Sequence, residues 1–113
     1  MKLYHVTPHE TWVKRIRKEG LVPRRGKRGF AARAPGEKRI YLFADRDTAM
    51  DALENWLLEE FPNERWFALL EVDVPARIKV QDDPEIAGSY YVTRVVPPRH
   101  VRLVESIDAG KPE

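Results

Sequence analysis

Leu3-Tyr4-His5-Val6-Thr7 runs straight into Pro8-His9-Glu10, and Arg39-Ile40-Tyr41-Leu42-Phe43-Ala44 runs straight into Asp45-Arg46-Asp47. Each is a short apolar run ending in helix-start chemistry, so each predicts a strand that feeds a helix. A strand apolar on both sides belongs inside a sheet, where a His in one and a Tyr in the other each need a polar partner.

Working outward, Thr7-Pro8-His9-Glu10 reads as a capping box, with Thr7 at the N-cap, Pro8 at the first helical position and Glu10 reaching back. The stripe Trp12, Val13 and Ile16 then predicts a helix of about three turns. Gly20 closes it in a left-handed cap, with Leu21 folded back on Ile16. Asp45 or Asp47 caps a second helix whose inward residues are Met50, Leu53, Trp56, Leu57 and Phe61, ending before Pro62. Further strands are expected over 66–74, 78–80, 90–96 and 101–104, separated by Pro75, by Asp82-Asp83-Pro84 with Gly88, and by Pro97-Pro98. The order of elements predicts an α+β domain, a mixed or antiparallel sheet of about six strands with two helices. Residues 1–107 form this single domain, and 108–113 are expected to fray.

A hydrophobic content of 42% beside 34% charged residues describes a folded globular chain rather than a disordered one. No stretch has the length and apolarity of a bilayer span, and Met1-Lys2 leads into a strand without a secretory pattern, so the expectation is a cytoplasmic protein with no membrane partner. The absence of cysteine removes disulfides, thiolate catalysis and Cys-based zinc sites. His5, His9 and His100 lack the spacing of a metal site, and none is expected. There is no Gly-x-x-x-x-Gly-Lys loop, Gly-x-Ser-x-Gly elbow or paired-carboxylate pattern.

Charge is segregated along the chain. Between Lys14 and Arg39 eleven cations face only Glu19 and Glu37, and the next segment is acidic through Asp45, Asp47, Asp51, Glu54, Glu59 and Glu60. Residues 22–38 are rich in Gly, Pro, Arg and Lys without apolar periodicity, which is loop chemistry. Guanidinium groups pair with phosphate through two hydrogen bonds at once, so Arg24, Arg25, Lys27 and Arg28 are candidates to bind a dinucleotide pyrophosphate or a nucleic-acid backbone.

With its residues laid out this way, the chain resembles the ADP-ribosyltransferase superfamily, including its RNA 2′-phosphotransferase and DNA- or protein-modifying branches. His5-Val6-Thr7 is similar to the family's first motif, a His on the first strand followed by a small residue and Ser or Thr, with Val6 standing in the place of the small residue. Tyr41-Leu42-Phe43-Ala44, with Ala49 further on, resembles the second. Tyr90-Tyr91-Val92-Thr93 running to Val96-Pro97-Pro98 and Val101 resembles the late strand. Many members carry a Glu or another polar residue just before that strand, where this chain has Ser89, or Tyr90 in a register shifted by one, with Glu85 as a displaced carboxylate.

The resemblance implies an NAD-dependent ADP-ribosyltransferase-type enzyme with NAD as substrate and an RNA, DNA or protein partner. It assigns His5 to a ribose hydroxyl, Thr7 to the support of that end, Tyr41 to stacking on nicotinamide and Ser89 to a hydrogen-bonding part in catalysis, while the phosphate-pairing chemistry of Arg24 and Arg25 makes them the cofactor-binding candidates of the basic loop. The alternative is a non-catalytic nucleic-acid- or protein-binding module on the same fold. Taken one by one, His5 and Tyr41 also fit a hydrogen-bonded core histidine and a core aromatic, and Trp12, Trp56 and Trp66 fit the apolar core.

Overall fold

Seven consecutive residues of the first strand, Lys2 to Pro8, pair with one neighbour, and the sheet grows outward from that ladder. The computed structural model describes residues 1–24, 38–58, 61–83 and 87–110, without the side chains of Trp56 and Leu57. The expectations placed on Arg25, Lys27, Arg28, Glu85, Trp56, Leu57 and 111–113 lie outside the described residues.

The strands are β1 (Lys2–Pro8), β2 (Ile40–Phe43), β3 (Trp66–Asp73), β4 (Gln81–Asp82), β5 (Ser89–Val92) and β6 (Val101–Asp108). They form one open sheet in the order β4-β5-β2-β1-β3-β6, antiparallel at every junction. Helix α1 joins an α-turn, His9–Thr11, to a π-helical stretch, Trp12–Ile16, and a last α-turn, Arg17–Glu19. Helix α2 is α-helical over Arg46–Ala52 and π-helical over Leu53–Leu57. The α+β class is therefore as expected, with the sheet wholly antiparallel.

Because strand side chains alternate, the sheet carries two cores. On the α1 face, Leu3, Ile40, Leu42, Leu70, Val72 and Val92 pack with Ile16, Leu21 and the partly buried Trp12. On the α2 face, Val6, Phe43, Phe67, Leu69 and Ile107 pack with Ala49, Ala52 and Leu53. Phe67 is fully buried, and removing one such side chain from water contributes about 1.5–3 kcal/mol. Asp45 supplies the α2 cap, its Oδ1 accepting from Thr48 N at 2.8 Å.

Several local expectations are corrected. Thr7 is not an N-cap: it stays in the ladder opposite Ala68, and Pro8 occupies the cap position with no side-chain hydrogen bond. Glu10 pairs with Lys14 one turn on. Val13, assigned to the apolar stripe, is 41% exposed. Residues 78–80 are not a strand, because Ile78 N donates to Pro75 O at 2.9 Å and turns the chain before β4. β5 stops at Val92, opposite Ile40, the first residue of β2. Val96 instead bridges Leu21 through backbone bonds of 2.9 and 3.0 Å.

β6 runs beyond 104 because β3 supplies partners back to Trp66, and its alternation is masked by a bulge: Leu70 faces Leu103 while Leu69 faces Glu105, leaving Val104 extra. The bulge, together with the charged Arg102, Glu105 and Asp108, discourages pairing along this outer edge, while the opposite edge, β4, is only two residues long. The strand holds Asp108, and Ala109 N donates to Arg65 O at 2.8 Å, so the chain is anchored past 107. Among the described residues no helix is long and apolar enough to cross a membrane.

Candidate functional site

β1 and β2 are hydrogen-bonded neighbours, yet Tyr4–Phe43 is their one paired position. Continuing the register would bring Val6 opposite Tyr41; instead the strands part, and a side chain fills the role of the missing ladder bond. His5 Nδ1 lies 2.8 Å from the backbone oxygen of Tyr41. A carbonyl oxygen only accepts, so Nδ1 carries the proton. Burial pushes the His5 imidazole below its ordinary pKa, with the Tyr41 hydrogen bond opposing. The ring is thus neutral near pH 7, and Nε2 keeps its lone pair, with no hydrogen bond to any described residue.

Register decides what shares a face with what. His5 and Thr7 stand opposite Leu70 and Ala68 on the α1 face. Tyr41 pairs with Tyr91, and Phe43 with Ser89, on the α2 face. The His5 side chain therefore meets the main chain of Tyr41, while the Tyr41 ring belongs to the other side of the sheet. The two motifs are joined through that one side-chain-to-main-chain hydrogen bond, beside the stretch where β1 and β2 are unpaired.

Around the Tyr41 ring is a cluster that joins Tyr91 of the late-strand motif to Arg39 and Gln81, which no motif contains. Tyr41 and Tyr91 have ring centroids 6.2 Å apart at 53°. The Arg39 guanidinium lies 3.9 Å from the centre of the Tyr91 ring, a cation–π arrangement, and its Nη1 is 3.5 Å from the Tyr41 hydroxyl. Tyr91 OH donates to Gln81 Oε1 at 3.2 Å. Arg39 was legible as a member of the face, two residues before Tyr41 on one strand. Tyr91 and Gln81 were not, because their neighbourhood depends on cross-strand register.

Ser89 is 2% exposed, and its hydroxyl has no hydrogen-bond partner among the described residues. Burying a hydroxyl unpaired is unfavourable, so an orphan at this position is a place for a bound water, an ion or a ligand, or a point of strain. Gly88, at φ +78°, precedes it, its carbonyl accepting from Ala44 N at 2.8 Å just ahead of α2. Asp83 N donates to the Ser89 carbonyl at 3.0 Å, which brings a second polar residue to the same strand start.

Of the basic candidates, Arg24 is placed: it exchanges two backbone hydrogen bonds, of 3.2 and 3.0 Å, with Arg39, which fastens it beside the start of β2. Arg25, Lys27 and Arg28 lie outside the described residues. Among the described residues no three of His, Asp and Glu converge on a metal-sized space. A surface hollow of about 420 Å³, lined in part by His9, Glu10, Lys14, Arg65 and Trp66, holds none of the candidate residues.

No family model matches the chain, and no curated protein or solved structure matches it.

Proposed function

We propose that the chain is an NAD-using transferase of the ADP-ribosyltransferase type, with NAD bound where β1 and β2 part. The observation that carries this reading is the His5–Tyr41 hydrogen bond, which holds a neutral Nδ1–H imidazole at the opening and leaves Nε2 as an acceptor for a ribose hydroxyl. Thr7 lies on the same face two residues on. The Tyr41 ring, on the other side of the opening, suits a planar cationic nicotinamide, with an attraction of about 0.5–2 kcal/mol. Arg39, beside that ring, is an added candidate for the pyrophosphate.

In the reaction the bond between nicotinamide nitrogen and ribose C1′ breaks with its electron pair leaving on nicotinamide, and positive charge builds on the sugar as in glycoside cleavage. An acceptor nucleophile then bonds to C1′ and gives up its proton. Ser89 takes part as a neutral hydrogen-bonding group, since a hydroxyl is not an anion near pH 7.

Calorimetric titration with NAD tests the reading. One-to-one binding that both His5→Ala and Tyr41→Ala abolish, with circular dichroism unchanged, is the expected result. No heat at millimolar NAD defeats it. The hydroxyl of Ser89, standing where many members of the resembled family have a carboxylate, favours a second reading, a non-catalytic nucleic-acid- or protein-binding module. That reading requires a partner that binds with no NAD present.

A further inference from the structure

The charge segregation along the chain becomes a segregation across the sheet. Helix α1 packs on one face and α2 on the other. On α1, Arg15, Arg17 and Lys18 are exposed and form no ion pair with any described residue, while Glu10 is engaged by Lys14 and Glu19 is the other acid. Exposed Arg77 and Lys79 lie on the segment whose Val74, Ile78 and Val80 pack into the same core as Ile16. Arg99, also exposed, sits in the 3₁₀ turn Pro98–His100, against the end of α1 where Gly20 meets Val96 and Pro98. On the opposite face α2 itself is acidic, with Asp45, Asp47, Asp51 and Glu54 exposed; its cation Arg46 is tied to Glu105 at 2.9 and 3.0 Å, and the strand cations Lys2 and Arg102 are engaged by Glu71.

We propose that the α1 face, through Arg15, Arg17, Lys18, Arg77, Lys79 and Arg99, is a docking surface for the phosphodiester backbone of a nucleic acid. Three separate chain segments contribute cations to one side of the sheet, which sums their fields over a surface rather than along one solvated helix edge. Anionic membrane is the poorer match, because Trp12 and Ile16 of α1 are turned into the core, leaving Val13 rather than an apolar stripe to insert. The proposal deepens the acceptor side of the reading above and rests on it for the identity of the acceptor; its test contains no NAD, so its failure is separable from a failure of NAD binding.

The test is fluorescence anisotropy of labelled single-stranded RNA and DNA oligonucleotides of one sequence, titrated with the full chain across a range of KCl. Two triple variants are compared: Arg15→Ala/Arg17→Ala/Lys18→Ala on the α1 face, and Lys2→Ala/Arg46→Ala/Arg102→Ala, which removes equal charge from the α2 face. Alanine is the best helix former, so the first variant keeps its helix, which its melting curve verifies. At about 0.7 per contacted phosphate, the first variant lowers the slope of log K against log salt by about 2 and weakens binding about 100-fold at about 0.1 M salt, while the second leaves the slope in place. No oligonucleotide binding, an unchanged slope in the first variant, an equal loss in both, or binding to phosphatidylserine vesicles in place of oligonucleotide overturns it.

Discussion

Ser89→Ala is expected to make the protein more stable and a poorer NAD binder. The Ser89 hydroxyl is 2% exposed and unpaired among the described residues, so folding strips it of water without replacement. Such a loss costs about 1–3 kcal/mol. Removing the oxygen recovers that penalty, less a few tenths of a kcal/mol, on the order of 0.3, for the small void left behind. The net gain is about 1–2 kcal/mol. For 113 residues the entropy of unfolding is roughly 0.24 kcal/mol/K, so each kcal/mol moves Tm by about 4 °C. Differential scanning calorimetry of the apo protein therefore shows a Tm about 4–8 °C higher, and NAD titration of the same sample shows weaker binding. A Tm lowered by several degrees refutes the reasoning, since it means that the hydroxyl is satisfied in the folded state and contributes to it. A raised Tm with unchanged NAD binding removes Ser89 from the site while leaving the energetic argument intact.

Other outcomes follow from single contacts. Gly20→Ala is destabilising by about 3 kcal/mol or more in urea melts, because φ +81° with ψ −168° is a region essentially reserved for glycine and an added Cβ lies 2.0 Å from the Val96 carbonyl oxygen; a wild-type midpoint contradicts that backbone path. The Arg65 guanidinium holds the Asp108 carboxyl down to about 2, so its stabilising contribution is present above the ordinary carboxylate value and is lost as pH falls toward 2. Asp108→Asn accordingly shows a shallower loss of Tm in that range, and parallel acid-melting curves disprove the coupling. Tyr91→Leu removes the ring beneath Arg39 and is expected to weaken NAD binding without unfolding the protein; equal affinity by calorimetry separates the cluster from the site. Because His5 is held neutral when folded, the unfolded chain takes up a proton first as pH falls below about 6.5, so His5 makes stability decline toward its lowered folded pKa. NAD affinity holds through that range and falls only where the folded ring itself takes up a proton and Nε2 becomes a donor; an affinity unchanged once NMR shows the folded imidazole protonated would falsify the acceptor role.

The strands that feed helices were readable because apolar runs and helix-start residues are local signals. Gly20 and Asp45 did in the structure what their types announce: one takes a positive φ and the other caps a helix. What failed was whatever tertiary pairing decides. Thr7 carries good capping chemistry, yet a ladder partner at Ala68 keeps it extended. β6 looked short because a bulge at Val104 breaks its alternation. The same limit holds for the site. His5 and Tyr41 were recognisable by type and position, but their relation is one of side chain to main chain across an opened ladder, which no spacing encodes. Tyr91 and Gln81 became neighbours of Tyr41 through the register of two other strand pairs.

The opening between β1 and β2 also gives the charge arrangement a direction. Had the ladder continued, the sheet would separate the two helix faces completely, and a ligand on one face would feel the other only through screened distance. In the proposed site, NAD at the unpaired stretch beside His5 would meet the α1 face through His5 and the α2 face through the Tyr41 ring. The proposed polymer would lie on the basic α1 side of the sheet, and the acidic α2 would repel it from the other. The two proposals therefore make different demands on the fold. The small ligand needs the gap, whereas the polymer needs only the face.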